Sequence, residues 1–369
     1  MPSKEVVIFA PLYRKIPIDG WGGVERIVLE RTKFLRRIGF RVQLVANTSE
    51  KEVADDIISI DELFSYPMGK IKLVESLIRG DWRRYMGIFA DHKIDIWDAP
   101  IISDASSIDP FNNLFLTKQM GQDRTLFFLH GNYYMIYKNW NRLFSIPDRL
   151  TRTSWKLNLG ALNRRINNYL AMRGIRSHYM PSGTEFPEEG EVMRTPEEYL
   201  IFIGTINSLK APHLAIDIAK RLGIPLKIVG RITDIEYFRD MIKPYLSGGI
   251  EYLGEVNRKS LISMLRRSMA LLFTSSWNEP QGIVVIEAQS YGIPVIALDT
   301  PFYSGIYEMI DDFRTGFIGG KNDVVRGAEK IFNLNRIDVY RWSKARWAWD
   351  VVLKKYHTDV IAEMAEKIT

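Results

Sequence analysis

The chain contains no cysteine. Disulfides, thiol nucleophiles and cysteine-held metals are therefore excluded, and the absence fits a cytoplasmic enzyme. No apolar run approaches the ~18 residues of a membrane helix. The N-terminal MPSKEVVIFAPLY reads as a strand and lacks the layout of a cleavable signal. There is no internal repeat, low-complexity tract or flexible linker of note. No G-x-G-x-x-G loop is present, which argues against a NAD dehydrogenase. No D-x-D stands at a strand end. An excess of one charge is scarce too. A net +6 permits an anionic substrate or a membrane surface and does not call for nucleic acid.

What is present is ordinary soluble material, 46% hydrophobic and 25% charged. A length of 369 residues is enough for two domains. The most informative stretch is Ser275 to Leu298, SSWNEPQGIVVIEAQSYGIPVIAL. An apolar strand, Ala270 to Phe273, precedes it, and Pro294 to Leu298 reads as another. Between them lie a Pro/Gly-punctuated turn, Asn278 to Gly282, and a short helix. This is a βαβ unit, whose loop falls at the ligand-binding edge of a parallel sheet. Backbone N–H groups at Gly282, Ile283 and Val284 open the helix and favour an anion such as a diphosphate. Glu279 and Glu287 bracket that position. Carboxylates beside a phosphate need donors, and sugar hydroxyls supply them. The plainer reading makes Glu279 a solvated loop residue and Glu287 a cap for a neighbour.

The residues E-P-Q-G-I-V-V-I-E, followed by A-Q-S-Y-G-I-P-V-I-A, resemble the E-x7-E signature of retaining nucleotide-sugar glycosyltransferases of the group 1 type, family four. That family more often has Phe where Gln281 stands. The resemblance implies a GT-B fold: α/β, two Rossmann-like domains with parallel sheets facing across a cleft. It implies that Gln281, Gly282, Ile283 and Val284 lie along the donor, that Glu287 holds the ribose, and that Glu279 lies near the donor sugar.

The N-terminal part starts with a strand, Val6 to Pro11. A loop ending Gly22-Gly23 leads into a helix with a stripe of Val24, Ile27, Val28, Phe34, Leu35 and Ile38. Gly39 stops it, and Arg41 to Ala46 is the next strand. Paired glycines let a backbone approach a diphosphate. An ordinary glycine turn is the alternative, and G-G-V-E-R resembles the family's N-terminal glycine loop. Strands are expected at Ile94 to Trp97 and Thr125 to Leu129. His130 follows the second. Taken alone it is a buried histidine satisfied by backbone. The resemblance places it near the donor sugar, where it can donate to a hydroxyl or stabilise charge at the anomeric centre.

Between Arg149 and Thr184 there are seven basic residues and no acidic one. The plainer reading is a solvated helical face. The sharper one is an anion or membrane-surface patch serving a lipid-linked acceptor. Ser182-Gly183-Thr184 resembles the family's interdomain junction. The expected domains are 1–182 for the acceptor, 183–340 for the nucleotide-sugar donor, and 341–369, a helix crossing back onto the first. The second domain restarts with a strand, Tyr199 to Ile203, a loop to Ala211 and a helix, Pro212 to Leu222. Lys210 supplies positive charge to the diphosphate. Thr205 stands where the family usually carries an arginine, and Arg231 is a candidate substitute. Val256, in the loop Gly254 to Asn257, falls where the family holds the nucleotide base.

The expected reaction is transfer of a sugar, with retention, from a UDP- or GDP-linked donor to a hydroxyl of a glycan, a lipid-linked or a small-molecule acceptor. His130, Lys210 and Glu279 are the catalytic candidates, with Lys210 and Thr205 also lining the donor site. No metal and no cofactor are expected. The enzyme would be cytoplasmic, and peripheral at the inner membrane face on the sharper reading of residues 149–184. A GT-B epimerase or hydrolase of nucleotide sugars, or a non-catalytic sugar-nucleotide binder, are the other readings open.

Overall fold

The computed structural model describes residues 5–10, 16, 23–48, 52–59, 101–103, 125–128, 130, 158–172, 176–300 and 303–366. The chain forms two compact units. One comprises Gly22–Pro181 with the N-terminal strand and Val352–Thr369; the other is built from Ser182–Val351.

The first unit carries β1 (Glu5–Phe9), α1 (Gly23–Arg37), β2 (Arg41–Ala46), β3 (Asp56–Ser59), β4 (Ile101–Ser103), β5 (Thr125–Phe128), β6 (Asn158–Ala161), α2 (Arg164–Ala171) and β7 (Ser177–Tyr179). Its sheet runs β3-β2-β1-β4-β5-β6-β7, parallel throughout. EVVIF and RVQLVA are buried along almost their whole length, as strands covered on both faces are. Val6, Ile8, Val42, Leu44, Leu126 and Phe128 fill the core.

The second unit follows with β8 (Leu200–Ile203), α3 (Pro212–Leu222), β9 (Leu226–Val229), α4 (Ile235–Met241), β10 (Ile250–Tyr252), α5 (Arg258–Arg267), β11 (Ala270–Phe273), α6 (Ile283–Ser290), β12 (Val295–Leu298), α7 (Ile306–Met309), β13 (Gly316–Gly319), α8 (Asp323–Ile331) and α9 (Arg336–Trp347). The strand order is β10-β9-β8-β11-β12-β13, again all parallel. Both sheets reverse direction beside their first strand, the doubly wound arrangement of a Rossmann fold.

The tail is not one helix. After α9, Ala348 takes an extended conformation, and α10 (Trp349–Val352), a π-helical turn (Leu353–His357) and α11 (Thr358–Glu366) follow. Ile361 and Met364 of α11 pack into the first unit's core. Along the tail Trp347, Val352 and Ile361 are buried, while Trp342, Val351 and Tyr356 are half-buried.

The basic segment also departs from a continuous helical face. Asn158–Ala161 is a strand with all four residues buried. Helix α2 starts only after Asn163, whose side-chain oxygen accepts the Ile166 N–H at 2.9 Å. Arg164 lies over the Tyr179 ring at 4.3 Å, and Arg176 pairs with Glu363 at 2.9 Å. Residues 149–157 and the strand expected at 94–97 lie outside the described residues. Among the described residues no helix is long and apolar enough to cross a membrane.

Candidate functional site

The second sheet reverses between β8 and β11. Open α/β sheets take ligands outside the carboxyl ends of the strands at such a point. Two loops rise there, 204–211 after β8 and 274–282 after β11. Gly204 and Gly230 allow the ends of β8 and β9 to meet: a Cβ on Gly230, at φ 149, would stand 1.9 Å from the Gly204 carbonyl oxygen.

The two loops are laced together by consecutive hydroxyl residues. Thr274 Oγ1 donates to the Ala211 carbonyl at 3.0 Å. Ser276 Oγ donates to the Leu209 carbonyl at 3.1 Å, and the Ser276 N–H to the same oxygen at 2.8 Å. Ser275 Oγ lies 3.4 Å from that carbonyl and 3.4 Å from Glu279 Oε2. None of these three residues carries a motif, so sequence reasoning passed over them. Their signal was a run of hydroxyls at the end of a buried strand.

Lys210 is held with its ammonium against Glu279 Oε2. The Trp277 indole Nε1–H donates to that same oxygen at 2.7 Å, and Lys210 Nζ sits 5.2 Å from the Trp277 ring centroid. The lysine and glutamate candidates, 69 residues apart in sequence, thus form one cluster. Lys210 and Glu279 side chains remain 23% and 14% exposed, so the pair is reachable by a ligand. Ala211, just before α3, adopts the left-handed conformation at φ 50, ψ 50. Such strain in a non-glycine residue costs about 1–2 kcal/mol and is concentrated at functional loops.

Thr205 supplies no charge. Its Oγ1 accepts from Asn207 Nδ2 at 3.2 Å, while Asn207 Oδ1 accepts the Lys210 N–H at 3.0 Å. The hydroxyl braces the loop that presents Lys210. Arg231 is exposed, and its backbone oxygen takes the Ile206 N–H at 2.8 Å. In the first turn of α3, His213 Nδ1 is 2.5 Å from the Tyr237 hydroxyl. Burial lowers the His213 pKa and pushes Tyr237 up to about 12. The imidazole is therefore neutral at pH 7, leaving Lys210 as the cation of this loop.

Gly282 caps α6 at φ 82, a left-handed conformation that glycine adopts without strain. Ile283 and Val284 are half-buried at the helix start, where backbone N–H groups have no intrahelical acceptor. Glu287, one turn on and 8% exposed, is ion-paired to Arg258 Nη2 at 2.8 Å. Arg258 opens α5, directly after the loop containing Val256, which is half-buried. That arginine was missed because nothing in its local sequence points to a residue so far downstream.

Gln281 lies differently from its expected role. It is 1% exposed, and its side-chain amide is occupied by the backbone of Ser182. Its side chain is a brace, not a donor contact.

The remaining candidates belong to the first unit. His130 follows β5 at the carboxyl edge, half-buried, with its ring 5.9 Å from Phe128. Phe128 also meets His357 at 5.8 Å and the Arg31 guanidinium at 3.9 Å. Gly23 opens α1 in open space, and Gly22 lies outside the described residues. Among the described residues no group of three His, Asp or Glu side chains converges as a metal site.

Parts of the chain are similar to known proteins. Residues 185–337 match the model for glycosyl transferases group 1. A D-inositol 3-phosphate glycosyltransferase of Mycobacteroides abscessus is 29% identical over 133 residues, 34% of this chain and 29% of that protein. An uncharacterised 41.2 kDa protein of the Klebsiella pneumoniae cps region is 27% identical over 130 residues, 35% of each. The matches thus span about a third of those relatives' lengths. The solved structure of AviGT4, a glycosyltransferase of avilamycin A biosynthesis, superposes with a TM-score of 0.66 at 15% identity, covering 98% of both chains. Anabaena HepE, in complex with UDP and glucose, gives 0.62 at 14% identity over 98% of this chain and 99% of its own. At such identities the likeness speaks for the fold alone. The chain has the GT-B fold, and its residues 185–337 match the model for glycosyl transferases group 1.

Proposed function

We propose that the protein is a retaining glycosyltransferase of family four that moves a sugar from a nucleotide diphosphate sugar to an acceptor hydroxyl. The observation that carries this reading is the meeting of Lys210 and Glu279 at the switch point of the second sheet, beside the start of α6. A diphosphate fits the cation and the helix N-terminus, and the sugar fits the carboxylate.

In the step proposed, the bond from the anomeric carbon to the diphosphate oxygen breaks and a bond to the acceptor oxygen forms on the same face. The acceptor proton passes to the leaving diphosphate. Lys210 and the N–H groups of Ile283 and Val284 stabilise the charge that gathers there. Glu287, steadied by Arg258, accepts from the ribose hydroxyls, and the loop with Val256 meets the base. Glu279 orients the sugar, and His130 is proposed as a hydrogen-bond donor to a sugar hydroxyl. The protein's contribution is positioning and electrostatics, with no metal or cofactor proposed. Donor nucleotides of the uridine and guanosine classes are proposed. UDP is supported by its presence in the HepE complex. The acceptor is proposed to be a glycan, a lipid-linked or a small-molecule hydroxyl, and the basic segment 149–184 a peripheral contact with an anionic membrane face.

A second reading, a non-catalytic sugar-nucleotide binder, draws on Thr205 bracing its loop where an arginine was expected. A thermal-shift screen of the purified protein with nucleoside diphosphates and nucleotide sugars tests the main reading. Selective stabilisation by one base, with donor turnover, supports it. Binding without turnover favours the binder, and release of free nucleotide without any acceptor dependence favours an epimerase or hydrolase. No shift with any member overturns all of them.

A further inference from the structure

Three donors converge on a single oxygen of Glu279. Lys210 Nζ, Trp277 Nε1 and Ser275 Oγ all meet Oε2, the last two at 2.7 and 3.4 Å. Among the described residues no hydrogen bond is made to Oε1. A carboxylate can accept about four hydrogen bonds, so Oε1 retains its full capacity. The Trp277 side chain also forms a surface beneath the lysine, whose Nζ lies 5.2 Å from the ring centroid.

We infer that Trp277 is the positioning residue for the donor sugar. It holds Glu279 by Oε2 so that Oε1 is presented to the sugar hydroxyls. This rests on the function proposed above and goes one step further, because Lys210 has two competing demands. In the free protein its ammonium neutralises Glu279. With donor bound, the diphosphate carries the larger negative charge and draws the ammonium toward it. The neutral indole donor feels no such pull. Trp277 therefore keeps the carboxylate oriented while Lys210 is shared, and its ring face remains a favourable seat for the ammonium along that path. Ser275 adds a weaker contact and ties Glu279 to the neighbouring loop.

The inference makes a separation that a merely structural tryptophan would not. Trp277→Phe keeps the ring and removes the N–H. It should leave the affinity for free UDP or GDP within about twofold of wild type. It should also remove about tenfold from the extra affinity that the matching nucleotide sugar shows over the free diphosphate, the size expected for one hydrogen bond to a charged group. For hydrolysis of the nucleotide sugar to free diphosphate, kcat/KM should fall by at least a similar factor, with KM rising as the donor binds more weakly. Isothermal titration and a coupled diphosphate assay read both quantities on the full chain. Trp277→His, which restores a ring N–H, should recover part of the loss. If Trp277→Phe fails to fold, Ser275→Ala removes the weaker contact to the same oxygen and should show the same split at smaller size.

Wild-type discrimination and turnover in Trp277→Phe would overturn the inference while leaving the glycosyltransferase reading intact. Equal loss for the free diphosphate and the nucleotide sugar would also overturn it, showing a general collapse of the loop. Failure of the wild-type protein to bind any nucleotide would overturn the functional reading itself, and the inference with it.

Discussion

Gln281 and Ser182 are joined twice. The Ser182 N–H donates to Gln281 Oε1 at 2.7 Å, and Gln281 Nε2 donates to the Ser182 carbonyl at 2.6 Å. Both residues are buried, and Gln281 Nε2 lies 3.9 Å from Met309 Sδ. A side-chain amide thus serves as a peptide unit for the segment that opens the second unit. It fixes the residue just before Gly282, where α6 begins.

Gln281→Leu strips both partners from a buried backbone unit. The cost expected is about 2–6 kcal/mol, since each of the two orphaned groups loses ~1–3 kcal/mol. Gln281→Phe, which installs the residue more usual in the resembling family, should be destabilising too, because a ring satisfies neither group. Denaturant unfolding of the three proteins checks this. Retention of wild-type stability by Gln281→Leu would mean that water or another group takes over at Ser182.

Glu287 and Arg258 act as a pair, and their mutants should reveal it. Glu287→Ala should raise donor KM about tenfold with kcat largely retained, as expected when binding common to ground and transition states is removed. Arg258→Ala should raise KM less, because it acts by steadying Glu287. The double variant should be no worse than Glu287→Ala alone. Additive losses would give Arg258 a donor contact of its own. Steady-state kinetics with the donor found by thermal shift reads all three.

Much of this was legible in the sequence, for identifiable reasons. In the second unit β8, β11 and β12 were readable within a residue because parallel strands buried on both faces are continuous apolar runs. The loops that carry Lys210 and Glu279, at the carboxyl ends of β8 and β11, were legible from the apolar strands before them. Trp277 and Arg258 were not. Their roles arise where separate loops or helices meet, and neighbouring residues carry no trace of that meeting. Gln281 was misread because its position in the motif pointed to the donor, whereas side-chain direction depends on the backbone turn at Gly282. β6 was hidden within a basic segment, since its Asn-Leu-Gly-Ala run is short and lacks a strand's usual β-branched residues.

Lys210→Ala should lower turnover by ~10²-fold or more if the ammonium stabilises the departing diphosphate, in line with removal of a preorganised electrostatic group. It should also weaken free nucleoside diphosphate. Glu279 would still be held by Trp277 and Ser275, so folding stability should change little, and the partly exposed ion pair should contribute no more than ~1 kcal/mol. Turnover and melting temperature measured together separate the two effects. Near wild-type turnover would remove Lys210 from the reaction.

Gly230 offers the most direct test of the geometry that brings the donor loops together. Its φ of 149 lies where side chains are disfavoured, and the Gly204 carbonyl oxygen occupies the space of a Cβ. The neighbour is backbone and cannot rotate aside. Gly204 is itself tied by its N–H to the Val229 carbonyl at 3.0 Å, and the Gly230 N–H to the Gly254 carbonyl at 2.9 Å. An added methyl must therefore separate the ends of β8 and β9, shifting the loop that carries Lys210 and the loop that contains Val256. Gly230→Ala should lose more than ~2 kcal/mol of stability. The fraction that folds at low temperature should bind nucleoside diphosphate more weakly. Gly223→Ala is the control: its φ of 68 is also positive, in the left-handed region, but nothing lies within 4 Å of its Cβ position. It should cost only the backbone strain of ~1–2 kcal/mol and leave nucleotide affinity unchanged. Equal effects of the two substitutions on affinity would show that the close approach of Gly204 and Gly230 does not set the loops.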